Sequence, residues 1–282
     1  MNIDINTPFS VAMSVYGRDN ADWFAAALES VVRQTVRPDE IVLIEDGPVP
    51  DAVRAVVDKY SEICLREGIL FSVIPLERNQ GLGNALRIAV EKARNGIVAR
   101  MDSDDIALPD RFEKQLALFS NHPELSIAGG NITEFIGEPT HIVAQRQVPQ
   151  TDAEIKRYMK RRCGFNHMTV MFRKSEVLRA GNYQDWFYNE DYYLWIRMMQ
   201  AGCVFANMPD ILVNVRVGKD AYARRGGSKY YRSERDLQRY MYKAGIISWP
   251  AMVANIGVRF IVQRLMPNWL RGFVFRTIFR KK

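Results

Sequence analysis

Cysteine is scarce in this chain of 282 residues, and the three present, Cys64, Cys163 and Cys203, stand far apart with no C-x-x-C pair. That spacing suggests neither a disulfide framework nor a zinc site, and it fits a reducing, cytosolic setting. The first residues, Met1 to Pro8, lack a basic start followed by an apolar core, so no secretory signal is expected. The longest uncharged run, Ala244 to Val258, falls short of a bilayer-spanning helix, which needs roughly 20 apolar residues. Internal repeats and low-complexity linkers are missing too. What is left is ordinary globular composition, 48% hydrophobic and 25% charged, with length for one large α/β domain and an appendage or for two small domains.

The most informative stretch runs from Ile97 to Arg111. A short apolar run, Ile97-Val98-Ala99, reads as a buried strand, and it leads into Asp102-Ser103-Asp104-Asp105. Carboxylates this close repel one another unless a cation or hydrogen-bond donors neutralise them, and hard divalent cations prefer such oxygen ligands. Pro109 and Asp110 suit the first turn of a helix that follows. In an open α/β sheet, ligands bind at the carboxyl ends of strands, which is where this acidic loop falls.

The rest of the first half alternates. Phe9 to Tyr16 reads as a strand, and a helix with Trp23, Phe24, Ala27, Leu28, Val31 and Val32 along one face follows it. Glu40 to Gly47 is a second apolar strand ending in acid, Ala52 to Arg66 a second helix, and Ile69 to Leu76 a third strand. Arg78-Asn79-Gln80-Gly81-Leu82-Gly83 lacks the third glycine of a dinucleotide fingerprint and the lysine of a P-loop. It reads mainly as a turn allowing close backbone approach before a helix from Asn84 to about Arg94. Four β-then-α units predict a parallel, doubly wound sheet. Beyond Pro123 the alternation breaks: strands over 125–136, 141–148, 204–208 and 211–217, a short helix from Asp152 to about Arg161, a loop running into a strand over 163–173, and a helix opening on Glu190-Asp191.

Taken in order, these motifs resemble the family-two inverting glycosyltransferases, and most of all the bacterial branch that builds exopolysaccharide or O-antigen units. The carriers are Ser14-Val15-Tyr16, Leu28-Glu29-Ser30-Val31-x-x-Gln34-Thr35-x-x-Pro38-Asp39-Glu40-Ile41-Val42, Glu45-Asp46-Gly47, Asn79-x-Gly81-Leu82-Gly83, Asp102-Ser103-Asp104-Asp105 and Glu190-Asp191-x-x-Leu194-Trp195-x-Arg197. The match spans roughly residues 9 to 217. It implies the GT-A nucleotide-sugar transferase fold, a Rossmann-like mixed sheet flanked by helices. It also implies Mn²⁺ or Mg²⁺ bridging the diphosphate of a UDP-sugar or similar donor.

Carried over by position, Ser14, Val15 and Tyr16 edge the base pocket and Asp46 contacts the base or ribose. Asp102 holds the ribose or metal, Asp104 is the direct metal ligand, and Ser103, Arg78 and Gly81 complete the donor site. Asp191, with Glu190 beside it, matches the catalytic base. Asn166, His167 and Trp195 are candidates for contacting the acceptor. The chain departs from the family in carrying Arg87 where many relatives have Asn. Leu194-Trp195-Ile196-Arg197 replaces the Q-x-x-R-W of processive synthases, so a non-processive enzyme adding one sugar is expected.

The resemblance divides the chain into a catalytic domain over residues 1–245, with a donor half about 9–120 and an acceptor half about 121–230, and a tail over 246–282. All of the net charge of +7 sits in that tail, which holds Arg259, Arg264, Arg271, Arg276, Arg280, Lys281 and Lys282 and no acid. Its basic residues punctuate apolar runs, which suits an anionic membrane surface better than nucleic acid. A cytoplasmic enzyme attached peripherally to the inner face of the cell membrane, meeting a lipid-linked saccharide acceptor, is expected. The alternative for the tail is a helical pair packed on the catalytic domain or a homodimer interface. A sugar nucleotidyltransferase shares the fold but begins with a Gly-rich, basic loop, and Tyr16-Gly17-Arg18-Asp19 is not one. Arg216, Arg224 and Arg225 are candidates for closing over a diphosphate, against the plainer description of a solvated charge run.

Overall fold

The computed structural model describes Asp4, residues 6–218 and residues 226–267. In the first half, β1 (Phe9–Tyr16), α1 (Ala21–Val32), β2 (Glu40–Asp46), α2 (Asp51–Glu67), β3 (Leu70–Pro75), α3 (Leu82–Lys92) and β4 (Ile97–Arg100) alternate as the hydrophobic pattern requires. These four strands pair in parallel in the order β3-β2-β1-β4. Asn20 caps α1, its Oδ1 accepting the main-chain N–H of Asp22 and Trp23.

Then come β5 (Ile106–Ala107), α4 (Arg111–Asn121), β6 (Leu125–Phe135), β7 (Ile142–Arg146), α5 (Asp152–Met159), β8 (Met171–Arg173), α6 (Lys174–Arg179), α7 (Glu190–Gln200), β9 (Val204–Arg216), α8 (Ser228–Lys243) and α9 (Trp249–Phe260). The sheet continues β4-β8-β6-β9-β5, with β7 on β6. β8 is antiparallel to both β4 and β6, so the sheet is mixed, and parallel pairing is interrupted after β4 and returns only between β6 and β9. Pro109 stands just outside α4, whose N-cap is Asp110.

Two expected strands, 204–208 and 211–217, form one bent strand, β9. Its register against β6 shifts where Met208 pairs with Gly130 but Ile211 with Asn131. Pro209 has no N–H for the ladder, and its carbonyl accepts Asn131 Nδ2 at 2.7 Å instead. Opposite the kink a side chain at Gly129 would meet Asn207 Oδ1 at 2.4 Å, and one at Gly130 would meet Leu212 Cδ1 at 2.6 Å.

The central strands are buried on both faces, so successive residues feed two cores. Val11, Met13, Val15, Ile41 and Leu43 pack with Phe24 and Leu28 of α1, Val57 of α2 and Phe112 and Leu116 of α4. Ala12, Val42, Ile44 and Val98 pack on the other side with Leu86 and Val90 of α3, Trp195 of α7 and Leu237 of α8. Each fully buried Val, Leu or Ile contributes roughly 1.5–3 kcal/mol relative to exposure. The carboxyl ends of β1, β2 and β4 open at one rim, which is where the acidic residues gather.

The segment after 245 begins as a packed element. Arg259 of α9 ion-pairs with Glu234 of α8 and donates to the Arg161 carbonyl, and Asn255 Nδ2 donates to the Lys160 carbonyl. Beyond α9 the helix widens into a π turn, Ile261–Leu265. Among the described residues no helix is long and apolar enough to cross a membrane. Trp269, Phe273, Phe275, Phe279, Arg224 and Arg225 lie outside the described residues.

Candidate active site

At the end of β4, one carboxylate oxygen from each of Asp102, Asp104 and Asp105 lies within 4.8 Å of the others. Three neighbours shape this cluster. Arg100, 2% exposed, forks onto both oxygens of Asp102. The main-chain N–H of Arg216 donates to Asp105 Oδ1 at 2.9 Å. Ser103 Oγ donates to Asp19 Oδ2 at 2.8 Å, tying the loop to the turn after β1.

Burial, then Asp102 and Asp19, push the Asp104 carboxyl up to about 6. Asp105 is driven well above the usual range by burial and then by Asp102 and Asp104. Asp104 forms no ion pair among the described residues. The set is hard oxygen, half-shielded and mutually repelling, and a divalent cation fits it, with Asp104 the freest ligand and Asp102 beside it.

Asp46, at the end of β2, has both oxygens engaged: Oδ1 accepts Gln80 N–H at 2.6 Å and Oδ2 accepts Gly81 N–H at 2.9 Å. It therefore builds the Arg78–Gly81 loop, and any contact it makes with a base is made by a carboxylate already held in place. Gly47 is obligatory here. Its φ is +87°, and a Cβ would meet Asn79 N at 2.6 Å. Arg78 is exposed on this loop, and Gly81, at φ +86°, is the N-cap of α3. Gly83 lets α3 press on α7, since a Cβ there would meet Glu190 Cβ at 3.1 Å. Gly83 thus serves close approach, as the sequence suggested, whereas Gly81 stands in open space and is needed for its positive φ. Arg87 of α3 pairs with Glu91 and takes no part in the rim.

Glu190 and Asp191 open α7. Burial, then the charge of Asp191, push Glu190 up to about 8, and burial also raises Asp191. Cys163 Sγ sits 3.8 Å from Asp191 Oδ2. The positive charge of Arg100 lowers both acids, and Asp102 raises Glu190, so the pair faces the cluster on β4. Residues some ninety positions apart in sequence thereby share one cleft.

Several expected side chains go elsewhere. Val15 is wholly buried in the first core, because it alternates with Ser14 and Tyr16, which reach the rim. Trp195 is 0% exposed, wedged among Phe165, Phe172, Tyr183 and His167, so it offers no surface to an acceptor. Asn166 is buried, donating to the Gly130 carbonyl at 2.8 Å. His167 Nε2 lies 2.9 Å from Tyr183 Oη, and burial holds its imidazole neutral. Arg216 is spent on the fold: its guanidinium lies over Trp23 and Phe135 at 4.9 and 4.6 Å and donates to the Asp104 and Gly137 carbonyls.

Sequence reasoning missed three residues. Asp19 read as a turn residue, yet burial raises it beside Ser103. Arg100, between the apolar run and the acids, carried no expected role. Arg111, 0% exposed, donates to the Arg100 carbonyl at 2.7 Å and is pushed down to about 9 by burial and by Arg100. Two cations bracketing a run of acids was the available signal.

The sheet order, the acidic strand end and the facing carboxylates are those of a GT-A nucleotide-sugar transferase. Residues 10–184 match the family described as Glycosyl transferase family 2. The chain is 40% identical over 231 residues to an amylovoran biosynthesis glycosyltransferase, AmsE, of Erwinia amylovora, covering 82% of this chain and 84% of that one. It is 35% identical over 277 residues to a UDP-Gal:alpha-D-GlcNAc-diphosphoundecaprenol beta-1,3-galactosyltransferase of Escherichia coli, covering 98% of each. Its fold is similar to that of a mannosyltransferase, PcManGT, from Pyrobaculum calidifontis in complex with GDP-Man and Mn²⁺. That similarity has a TM-score of 0.63 at 15% identity, over 96% of this chain and 74% of that one. The chain belongs to glycosyl transferase family 2 and is a glycosyltransferase.

Proposed function

We propose that this chain is a non-processive, inverting glycosyltransferase. It moves one sugar from a nucleotide-sugar donor, a UDP-hexose or UDP-N-acetylhexosamine, to a lipid-linked saccharide in cell-surface polysaccharide biosynthesis. One observation carries the reading: the Asp102–Asp105 cluster and the Glu190–Asp191 pair lie within electrostatic reach of one buried cation, Arg100. The relatives named above support the donor and acceptor classes.

Asp104 and Asp102 hold Mn²⁺ or Mg²⁺, which when bound offsets the charge gathering on the departing diphosphate. Ser14, Tyr16, Asp46, Arg78, Gly81 and Ser103 form the donor's bed. Asp191 takes the proton of the acceptor hydroxyl as its oxygen bonds to the anomeric carbon. The bond from that carbon to the diphosphate breaks on the opposite face, so configuration inverts. Burial and their mutual repulsion raise both Glu190 and Asp191, which favours one proton shared between them. The enzyme works in the cytoplasm against the inner face of the membrane, where such an acceptor is presented.

Transfer from a panel of nucleotide sugars with Mn²⁺ or Mg²⁺, read by NMR of the new linkage, tests this reading. Metal-dependent transfer with inversion supports it. Retention of configuration, or transfer unaffected by chelation, overturns it.

A further inference from the structure

Helix α9 packs Ala251 and Met252 on the domain but turns most of its apolar surface outward. Its polar residues recur every fourth position and face the protein: Asn255 bonds Gln238 and the Lys160 carbonyl, Arg259 pairs with Glu234, and the Gln263 carbonyl of the following π turn accepts Gly227 N–H. The opposite face also recurs every fourth position, through Trp249, Val253, Gly257, Ile261 and Leu265, with Pro250, Ala254 and Val258 beside them, and all are exposed. Trp249 is 58% exposed, Val258 61% and Leu265 63%. A helix packed on a water-soluble domain presents the reverse arrangement. An outward apolar stripe of four turns needs a covering partner.

What lies under the start of this helix says which partner. A cavity of about 990 Å³ separates α5 from the corner between α8 and α9. Arg157, Lys160 and Arg161 line it with Tyr158 and Ser248, the N-cap of α9. None of these three cations forms an ion pair among the described residues, whereas Lys156 on the same helix is paired with Asp152. The one acid lining the cavity, Glu154, turns its carboxylate onto the N–H and hydroxyl of Thr151. The positive end of α9 adds to the field. Three cations without an ion pair, of which Arg157 alone feels the charge of Glu154, together with an outward apolar stripe are complementary to a surface that is anionic at its face and apolar just beneath.

We propose that this cavity is a site for the phosphate of an anionic membrane lipid, occupied while the outer face of α9 lies in the headgroup boundary. The site deepens the proposed function, resting on its membrane setting, and it assigns that setting to residues on the domain itself. Beyond the end of α5 the chain runs through Arg161 and Arg162 to Cys163, whose Sγ lies 3.8 Å from Asp191 Oδ2, so the proposed docking face and the α7 end of the cleft are joined by a short segment. The stripe would seat the enzyme with that end toward the bilayer.

The test uses the full chain and flotation with phosphatidylcholine vesicles, with and without phosphatidylglycerol. Point substitutions are needed because removing α9 would strip Glu234 of its partner. Wild type should float with the anionic vesicles and not with the neutral ones. Arg157→Gln, Lys160→Gln and Arg161→Gln together should weaken partitioning roughly 10²-fold, about fivefold for each cation. Val253→Asp with Val258→Asp should abolish it. Both variants should keep wild-type donor hydrolysis and melting temperature, since neither touches the acidic cleft.

Undiminished flotation of either variant overturns the site. So does recruitment to neutral vesicles only when they carry a polyprenyl diphosphate-linked sugar, which would make the phosphate the acceptor's own. If Val253→Asp with Val258→Asp instead splits a dimer by light scattering while flotation persists, the stripe covers a second copy. Donor hydrolysis fails independently of flotation, so loss of the glycosyltransferase reading and loss of this site are told apart.

Discussion

The guanidinium of Arg100 lies across both carboxylate oxygens of Asp102, with Nη1 2.5 Å from Oδ2. One partner is 2% exposed and the other, at 27%, reaches the cleft, so a strand-end cation holds a carboxylate of the acidic cluster from below. The same charge lowers Glu190 and Asp191 from the side. A single buried arginine thus couples the Asp102–Asp105 cluster to the Glu190–Asp191 pair.

Replacing Arg100 therefore has a signed effect on pH dependence. Arg100→Met removes the cation that lowers the pair on α7, so the acid limb of the kcat/KM profile should move to higher pH. Arg100→Lys keeps the charge while losing the fork, so it should leave the limb in place and lower kcat through a poorly oriented Asp102. An unmoved limb in the methionine variant would show that Arg100 acts on the fold alone.

Stability of the metal-free protein should fall with rising pH. Asp104, at about 6, and Glu190, at about 8, both sit above an unfolded carboxyl near pH 4, so the folded chain binds these protons more tightly. Their contribution is present in full below that unfolded value and is lost as pH rises through the folded values. The melting temperature, followed by calorimetry from about pH 4 to pH 9, should decline, and Mn²⁺ should restore part of it. Asp104→Asn should flatten the curve, remove the Mn²⁺ response and abolish metal-dependent turnover.

The first half of the fold was legible because its strands carry unbroken apolar runs and its helices a clear period, and both the turn glycines and the acidic cluster fall between them. The strand running out of the loop over 163–173 was readable as a strand, but its place as β8, wedged between β4 and β6, was not, because those partners lie far away in sequence. α8 was missed for a related reason: only Ser233, Glu234, Leu237, Gln238 and Met241 of its residues are buried, too few of them apolar to mark a face. In the site, the acidic clusters at 102–105 and 190–191 were readable as clusters by residue type and spacing. Trp195 was not, since an aromatic in a catalytic helix reads alike whether it meets substrate or core. Arg100 and Asp19 act through partners that only the folded chain brings near.

Two glycine replacements separate strain from crowding. Gly68 has φ +73° in open space, so Gly68→Ala should cost roughly 1 kcal/mol of stability and leave donor KM alone. Gly47 has φ +87° and backbone 2.6 Å from a would-be Cβ, so Gly47→Ala must shift the Asn79–Gly81 loop that Asp46 holds. Its donor KM should rise along with a larger loss of melting temperature. Equal effects of the two on KM would detach that loop from donor binding.

Asp191→Asn distinguishes a base from a helix cap. As the group that accepts the hydroxyl proton, its loss should cut kcat roughly 10² to 10⁴-fold while binding of the donor, measured by calorimetry, stays nearly unchanged. Glu190→Gln should cost far less, because it leaves the Asp191 carboxylate in place to accept the proton. The two variants also differ in stability with a sign that a capping role reverses. Burial raises Asp191, so its ionised form is held at a cost, and the amide should leave the melting temperature at pH 8 unchanged or higher. A carboxylate serving only the dipole of α7 would stabilise by about 0.3–1 kcal/mol, and its amide would melt lower with the rate intact. A lower melting temperature with undiminished transfer would remove Asp191 from the chemistry and leave the cleft without its base.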